Sequence, residues 1–255
     1  MMKLRSVARQ ARYYVWRLES LRFVGAKFSC PICGGTFREM KPVVASCSLR
    51  GVETDHYTPN AICPRCHSSI RHRFVVEYLR TETDLLAKPQ RVLHFAPEIG
   101  IYKMFQRNGA DNVAADIDPS RFIGAMFADI LNIPFPDNDF DAVICIHVLE
   151  HIEDDQKAIR EIYRVLKPRG HAILAVPTYG DVTYEDTSLD YAGRAEQYGA
   201  GDHRRMNGLD FADKLRAARF EVKVVSVDDV KGNFVDRSVR SPHTDSDRYL
   251  FHCTK

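Results

Sequence analysis

No apolar run in this chain approaches the roughly 20 residues needed to span a bilayer, so the sequence offers no membrane-crossing helix. It also lacks a charge excess. The 36 basic and 34 acidic side chains leave a net charge of +2, too little for the whole molecule to act as a phosphate-binding surface. The N-terminus has neither the apolar segment nor the small-residue cleavage site of a secretory leader, which predicts a cytoplasmic protein. Internal repeats and low-complexity tracts are missing too, so a solenoid or a long linker is excluded. What is left is an ordinary globular composition, 45 % hydrophobic and 27 % charged over 255 residues. That length can bury a full α/β core and still carry a small extra module.

Seven cysteines stand out against this background. In a reducing compartment they read as metal ligands and core residues, since disulfides are rare there. Cys30-Pro31-Ile32-Cys33 and Cys63-Pro64-Arg65-Cys66 are two CxxC knuckles separated by residues 34–62. Each knuckle puts two thiolates on one tight turn, and two such turns complete a tetrahedron around Zn²⁺. The pattern is zinc-ribbon-like, with a central loop longer than the common ribbon range. Four cysteine ligands leave no open position, so the expected zinc is structural. His67 and His72 after the second knuckle are read as surface residues, Cys145 and Cys253 as core.

Three regions follow from composition. Residues 1–28 form a basic amphipathic helix in this reading, with Leu4, Val7, Ala11, Val15 and Leu18 on one side and Arg5, Arg9 and Arg12 on another. Such a helix packs on the domain or makes peripheral contact with an anionic membrane or RNA. Residues 29–75 hold cysteine, proline and glycine with little periodicity, the mark of a module that needs a metal in place of a core. Residues 76–255 form the main domain, in which strands alternate with helices, predicting a parallel sheet covered on both faces. The expected strands are 91–95, 112–116, 125–128, 141–146, 170–176, 220–227 and 249–254. The expected helices include one opening at Ile70 and others over 101–108, 155–166 and 209–218.

The turn from Val92 to Gly100 ends a strand and opens a helix, the place where nucleotide-binding α/β folds meet their ligand. Asp116, closing the second strand, can accept both hydroxyls of a ribose. Asp129, after the third, can accept an exocyclic amine of an adenine stacked on Ile130. The run from Ile133 through Asp141-Ala142-Val143-Ile144 and His147-Val148-Leu149-Glu150-His151 to Lys167-Pro168-Arg169-Gly170 is the most specific. It closely resembles the class I S-adenosylmethionine (SAM) methyltransferases of the type 11 group, and the resemblance covers roughly residues 90–255. It implies a Rossmann-like seven-stranded sheet and SAM as cofactor. Ala96, Glu98 and Gly100 would meet the methionine part, Asp116 the ribose, Asp129 and Ile130 the adenine, and His147 the region of the sulfonium. The first turn departs from the family's acidic-x-Gly-x-Gly-x-Gly, with His94, Ala96, Glu98 and Gly100 in those places. Glu98 sets a charge where the backbone usually approaches the cofactor.

Substrate groups in this fold project after the fourth and fifth strands. His203 is the candidate general base, near neutral pH in its unperturbed state, and His151 is the second catalytic candidate. Tyr179, Tyr184, Tyr191 and Tyr198 stud the segment 178–198 and pack a lid or stack on an acceptor. The leading expectation is O- or N-methylation of a small-molecule or glycan acceptor. The basic N-terminus and the zinc module keep a ribosomal or other RNA methyltransferase as the alternative, and Glu98 keeps a non-catalytic SAM-binding protein as another.

Overall fold

The computed structural model describes residues 18–239 and 246–255. Seven strands form the central sheet: β5 (Arg91–Phe95), β6 (Asp111–Asp116), β7 (Met126–Phe127), β8 (Phe140–Ile146), β9 (Leu166–Ala175), β10 (Glu221–Ser226) and β11 (Tyr249–Thr254). Their order is β10-β11-β9-β8-β5-β6-β7. The strands from β9 through β7 run parallel, and β11 lies antiparallel to both β9 and β10. The inner strands are apolar without alternation, as strands covered on both faces must be: every residue of β8 except Asp141 is buried.

The helices are α1 (Ile70–Thr81), α2 (Ile99–Arg107), α3 (Asp155–Val165), α4 (Tyr191–Tyr198) and α5 (Phe211–Ala217). Helix α3 starts where Asp154 accepts the Lys157 amide at 2.9 Å and buries Ala158, Ile159, Ile162 and Val165 on one stripe. With α5 it covers one sheet face, around Leu93, Val143, Leu174 and Phe251. Helix α1 covers the other through Phe74, Val75, Tyr78 and Leu79, packed among Val92, Ile144, Ile173 and Leu250. A boundary at residue 75 therefore cuts α1 in half; the helix is part of the sheet domain's core from Ile70 onward.

The N-terminal region also differs from its sequence reading. The expected helix over 1–28 gives way at Ser20–Phe23 to a single 3₁₀ turn and then to β1 (Val24–Ser29), which pairs with β2 (Thr36–Phe37). Residues 1–17 of that reading lie outside the described residues. A small core of Phe28, Cys30, Phe37, Met40 and Cys63 gathers around the knuckles. The stretch between the knuckles, read as aperiodic, is an antiparallel hairpin of β3 (Lys41–Leu49) and β4 (Val52–Ile62). Both faces of this hairpin expose apolar residues (Val44 and its cross-strand partner Tyr57 on one face, Val52 on the other), so its pattern gives no clean alternation.

Arg73 of α1 ties module to domain. Its buried guanidinium donates to the carbonyls of Ser68 (2.7 Å), Phe234 (2.8 Å), Ala61 (3.0 Å) and Asn60 (3.2 Å), joining the second knuckle to a loop of the sheet domain. A guanidinium carries enough donors to satisfy four carbonyls in one plane, which an ammonium cannot match. Among the described residues no helix is long and apolar enough to cross a membrane.

Candidate active site and cysteine centre

Strand order reverses at β5, which has β6 on one side and β8 on the other. In open α/β sheets the crevice at the carboxyl ends of such strands is the ligand site. Here it is a cavity of about 500 Å³ lined by Ala96 after β5, Asp116 at the end of β6, Asp129 and Ile130 after β7, and His147 after β8. Five of the seven residues expected to hold a cofactor thus converge on one cavity. Ala96 and His147 have φ of 44° and 53°, left-handed backbone that turns each strand end sharply beside the crevice. Asp116 accepts the Asp118 amide at 2.8 Å through one oxygen, which fixes its carboxylate in place.

The other two, Glu98 and Gly100, are not among the residues that line this cavity. Glu98 does not line the crevice. Its carboxylate reaches back to the fully buried His94, 2.8 Å from Nε2, and lies 3.8 Å from His72 Nε2. Burial acts to raise this carboxyl, but the hydrogen bond and charge of His94 outweigh it and hold the group below its usual range. The Glu98 charge is thus turned toward His94 and His72. Gly100 does not face the crevice either. A Cβ there would sit 2.8 Å from Ile32 Cγ2, so the missing side chain is what lets the first cysteine knuckle seat on α2. His72, read as a surface residue, is buried enough that its pKa falls to about 4.

A second cavity of about 450 Å³ adjoins the first. Its walls come from both parts of the chain: Val43, Leu49 and Thr58 from the hairpin, Tyr179 and Tyr198 from the segment after β9, with Arg71, Asp247 and His203 among its polar groups. The hairpin tip reaches α4, where Arg50 N–H donates to the Gln197 carbonyl at 3.0 Å and Gly51 N–H to that of Glu196 at 3.2 Å. His147 lines both cavities. Its Nε2 lies 3.1 Å from Asp247 and its Nδ1 3.5 Å from Glu150. Burial opposes the Asp247 charge, yet the His147 hydrogen bond keeps its pKa low.

The two catalytic candidates meet at this junction. The His151 and His203 rings stand edge to face with centroids 5.0 Å apart. Burial, then the neighbouring His151, lowers the His203 pKa to about 4, so its imidazole is neutral but a weaker base than the sequence expectation of an unperturbed histidine. Arg205 positions this loop and was not singled out from sequence. Buried beneath the site, it forks onto Glu185 (2.9 and 3.0 Å) and donates to the carbonyls of Ile152 (2.7 Å) and Glu153 (2.8 Å). Next to it, Arg204 N–H donates to the Glu150 carbonyl at 2.8 Å. The only sequence signal was an arginine pair beside His203.

The four knuckle cysteines converge. Cys30 and Cys66 sulfurs lie 3.6 Å apart, Cys33 and Cys63 sulfurs 3.7 Å, and all four within 4.8 Å. A tetrahedron with Zn–S bonds of about 2.3 Å has edges of about 3.8 Å, so the donor set and spacing fit that ion. Cys145 and Cys253 are buried in β8 and β11, as the core reading expects.

Residues 101–174 match the family model described as "Methyltransferase domain". The demethylmenaquinone methyltransferase of Thermus thermophilus is 33 % identical over 102 residues, 34 % of this chain and 46 % of that protein. The ajmaline N-methyltransferase of Rauvolfia serpentina is 38 % identical over 61 residues, 24 % of this chain and 21 % of that protein. The chain thus spans less than half the length of either relative. A solved SAM-dependent methyltransferase from Mesorhizobium loti superposes with a TM-score of 0.54 at 14 % identity, covering 73 % of this chain and all (100 %) of that one. The sheet domain accordingly has the Rossmann-like α/β methyltransferase fold.

Proposed function

We propose that the protein is a SAM-dependent methyltransferase acting on a small-molecule or glycan acceptor seated in the second cavity. The observation that carries this reading is the meeting of two cavities at His147, one at the strand-end crevice and one behind it. Asp116 supports it as an oriented carboxylate for the ribose hydroxyls, with Asp129 and Ile130 on the adenine side. SAM supplies a methyl group already activated on a sulfonium. What the chain must do is hold a nucleophile in line with that methyl and dispose of its proton. His147, His151 and His203 stand where the nucleophile would lie. The hairpin and Tyr179 and Tyr198 wall that place on one side. A cavity of about 450 Å³ suits a compact ligand better than a polymer lying across an open surface. The two relatives named for demethylmenaquinone and ajmaline favour the same acceptor class.

We infer a structural role for the cysteine centre, with one zinc per chain holding the hairpin over the second cavity. Calorimetric titration with SAM tests the first half of the reading, and absence of binding would leave a scaffold protein. Transfer of labelled methyl into a lysate separated into small-molecule, lipid-linked, protein and RNA pools tests the second. Label in the small-molecule or lipid-linked pool is the expected result; label confined to RNA replaces the acceptor.

A further inference from the structure

Glu150 is an anomaly in the turn after β8. Its side chain is 1 % exposed, and neither carboxylate oxygen has a hydrogen-bond partner. An ionised carboxylate in that position is costly unless something positive faces it. What faces it are imidazoles. Its Oε1 lies 3.5 Å from His147 Nδ1 and 3.9 Å from His151 Nε2. One oxygen or nitrogen from each of Glu150, His151 and His203 falls within a 4.8 Å sphere of mutual distances.

The surroundings select which histidine nitrogens are free. His151 Nδ1 lies 3.3 Å from the Asp202 carbonyl and 3.5 Å from its carboxylate, which favours the proton on Nδ1 and leaves the Nε2 lone pair toward Glu150. His147 is backed in the same way, its Nε2 held by Asp247. A carboxylate or carbonyl behind the far nitrogen of a histidine is how metal-ligating imidazoles are oriented. Two imidazoles and one carboxylate are also a donor set that catalytic metal sites use, leaving positions open to a substrate.

We propose that Glu150, His151 and His203 bind a divalent transition-metal cation at the junction of the two cavities, a site separate from the four-cysteine centre. The rings and the carboxylate close inward slightly to bring each donor to about 2.1 Å. Its open positions face the second cavity, where His203 already forms part of the wall. Its role in catalysis rests on the methyltransferase reading. The cation takes the acceptor's hydroxyl oxygen and lowers its proton affinity, so the proton leaves to solvent. An oxygen lone pair then forms the O–CH₃ bond as the C–S bond breaks, and that bond's electron pair stays on sulfur.

The test uses the full chain as purified, with its cysteine centre loaded, titrated with Co²⁺. The expected result is one further Co²⁺ per chain, with weak visible bands and no thiolate charge-transfer absorption. His203→Asn should weaken that binding by at least about tenfold, and Glu150→Gln should do the same. SAM affinity and the melting curve check that each variant is folded. If Glu150→Gln does not fold, His203→Asn, on the less buried side of the site, carries the test alone. No Co²⁺ beyond the cysteine centre, or binding that survives both substitutions, overturns the proposal and leaves Glu150 a protonated, uncharged acid. Co²⁺ binding without SAM binding keeps the metal site and removes its catalytic role.

Discussion

The crevice is floored by the ends of four adjacent strands, each pinned by ladder hydrogen bonds to its neighbours. The second cavity has no such floor. Its walls come from the β3–β4 hairpin, the start of α1, the loop after β9, the end of α4 and the loop before β11. One site is built on the rigid sheet, the other on loops that the sheet and the cysteine centre hold in place. Under the proposed function, this division would let one chain keep a constant cofactor geometry while the acceptor side changes with the length and sequence of a hairpin. Among the described residues only His147 belongs to both, so it is where a change on one side should be felt on the other.

The strongest way to break this comparison is to remove the zinc proposed for the cysteine centre. Structural zinc in small modules stabilises the bound fold by about 10–16 kcal/mol in isolated peptides, so its loss should melt the hairpin wall. Protein purified without added metal should carry about one zinc per chain by elemental analysis. Cys63→Ser should open the hairpin to protease and abolish acceptor turnover, while SAM affinity changes by less than about threefold. A parallel collapse of SAM affinity would show that the two cavities are one unit.

Next in size is His203→Ala. If the junction handles the acceptor's proton, turnover should fall by about 10²–10⁴-fold with SAM affinity intact. Turnover near the wild-type rate would make His203 a wall residue only. On the crevice side, Asp116→Ala removes the oriented acceptor of the ribose hydroxyls. SAM binding should weaken by about 1.5–3 kcal/mol, read by calorimetry, with no change in the hairpin's resistance to protease. Unaltered SAM affinity would move the ribose contact elsewhere, Asp118 being the nearest carboxylate.

The contrast between the cavities also explains what could be read from the sequence. Strand ends announce themselves, because buried parallel strands are apolar runs and the residue after each run lies at the crevice. That is why Asp116, Asp129, Ile130 and His147, read from the strand ends, line one cavity. Part of the most specific run, 133–170, is structural. Arg164 at the end of α3 donates to the carbonyls of Ile133 (2.9 Å) and Phe135 (2.8 Å) and pairs with Glu161 and Asp137. The second cavity is legible only on its domain side, at His203, Tyr179 and Tyr198; its hairpin wall joins them only through tertiary packing. Val43 and Tyr198 have no pattern in common. For Glu98 and Gly100 the spacing gives their place on the turn but not their neighbours, since His94 with His72 and Ile32 include residues of the module and α1.

Gly100→Ala sharpens that last point. The added methyl would meet Ile32 Cγ2 at 2.8 Å, so the Ile32 side chain, or the knuckle that carries it, must give way. A cost of about 1–3 kcal/mol in stability is expected, as for other overpacked contacts. Ile32→Ala in the same chain should recover part of it. If Gly100→Ala instead weakens SAM binding without touching stability, the glycine serves the crevice after all.

The smallest expected effect comes from pH, and it acts on the seat of α1, which carries the second cavity's wall at Ile70 and Arg71. Tyr78 of α1 places its hydroxyl 2.7 Å from His252 Nδ1 in β11, and His252 Nε2 lies 3.0 Å from His171 Nδ1 in β9. Burial lowers the His252 pKa to about 4; His171 and Lys223 push the same way, and only Asp84 opposes them. Burial lowers His171 too, while Tyr78 is pushed up to about 12 and stays neutral. The native state therefore keeps His252 uncharged, whereas the unfolded chain protonates it below about pH 6.5. Between those values the unfolded state binds more protons, so stability is complete above about pH 6.5 and declines as pH falls toward 4. Melting temperature should drop across this window, and His252→Asn should flatten the slope while lowering stability at pH 7. Hydrogen exchange adds the comparison: α1 amides should lose protection before those of β5 and β8. Equal loss in all three would mean that acid acts on the sheet as a whole and not through the Tyr78–His252 contact.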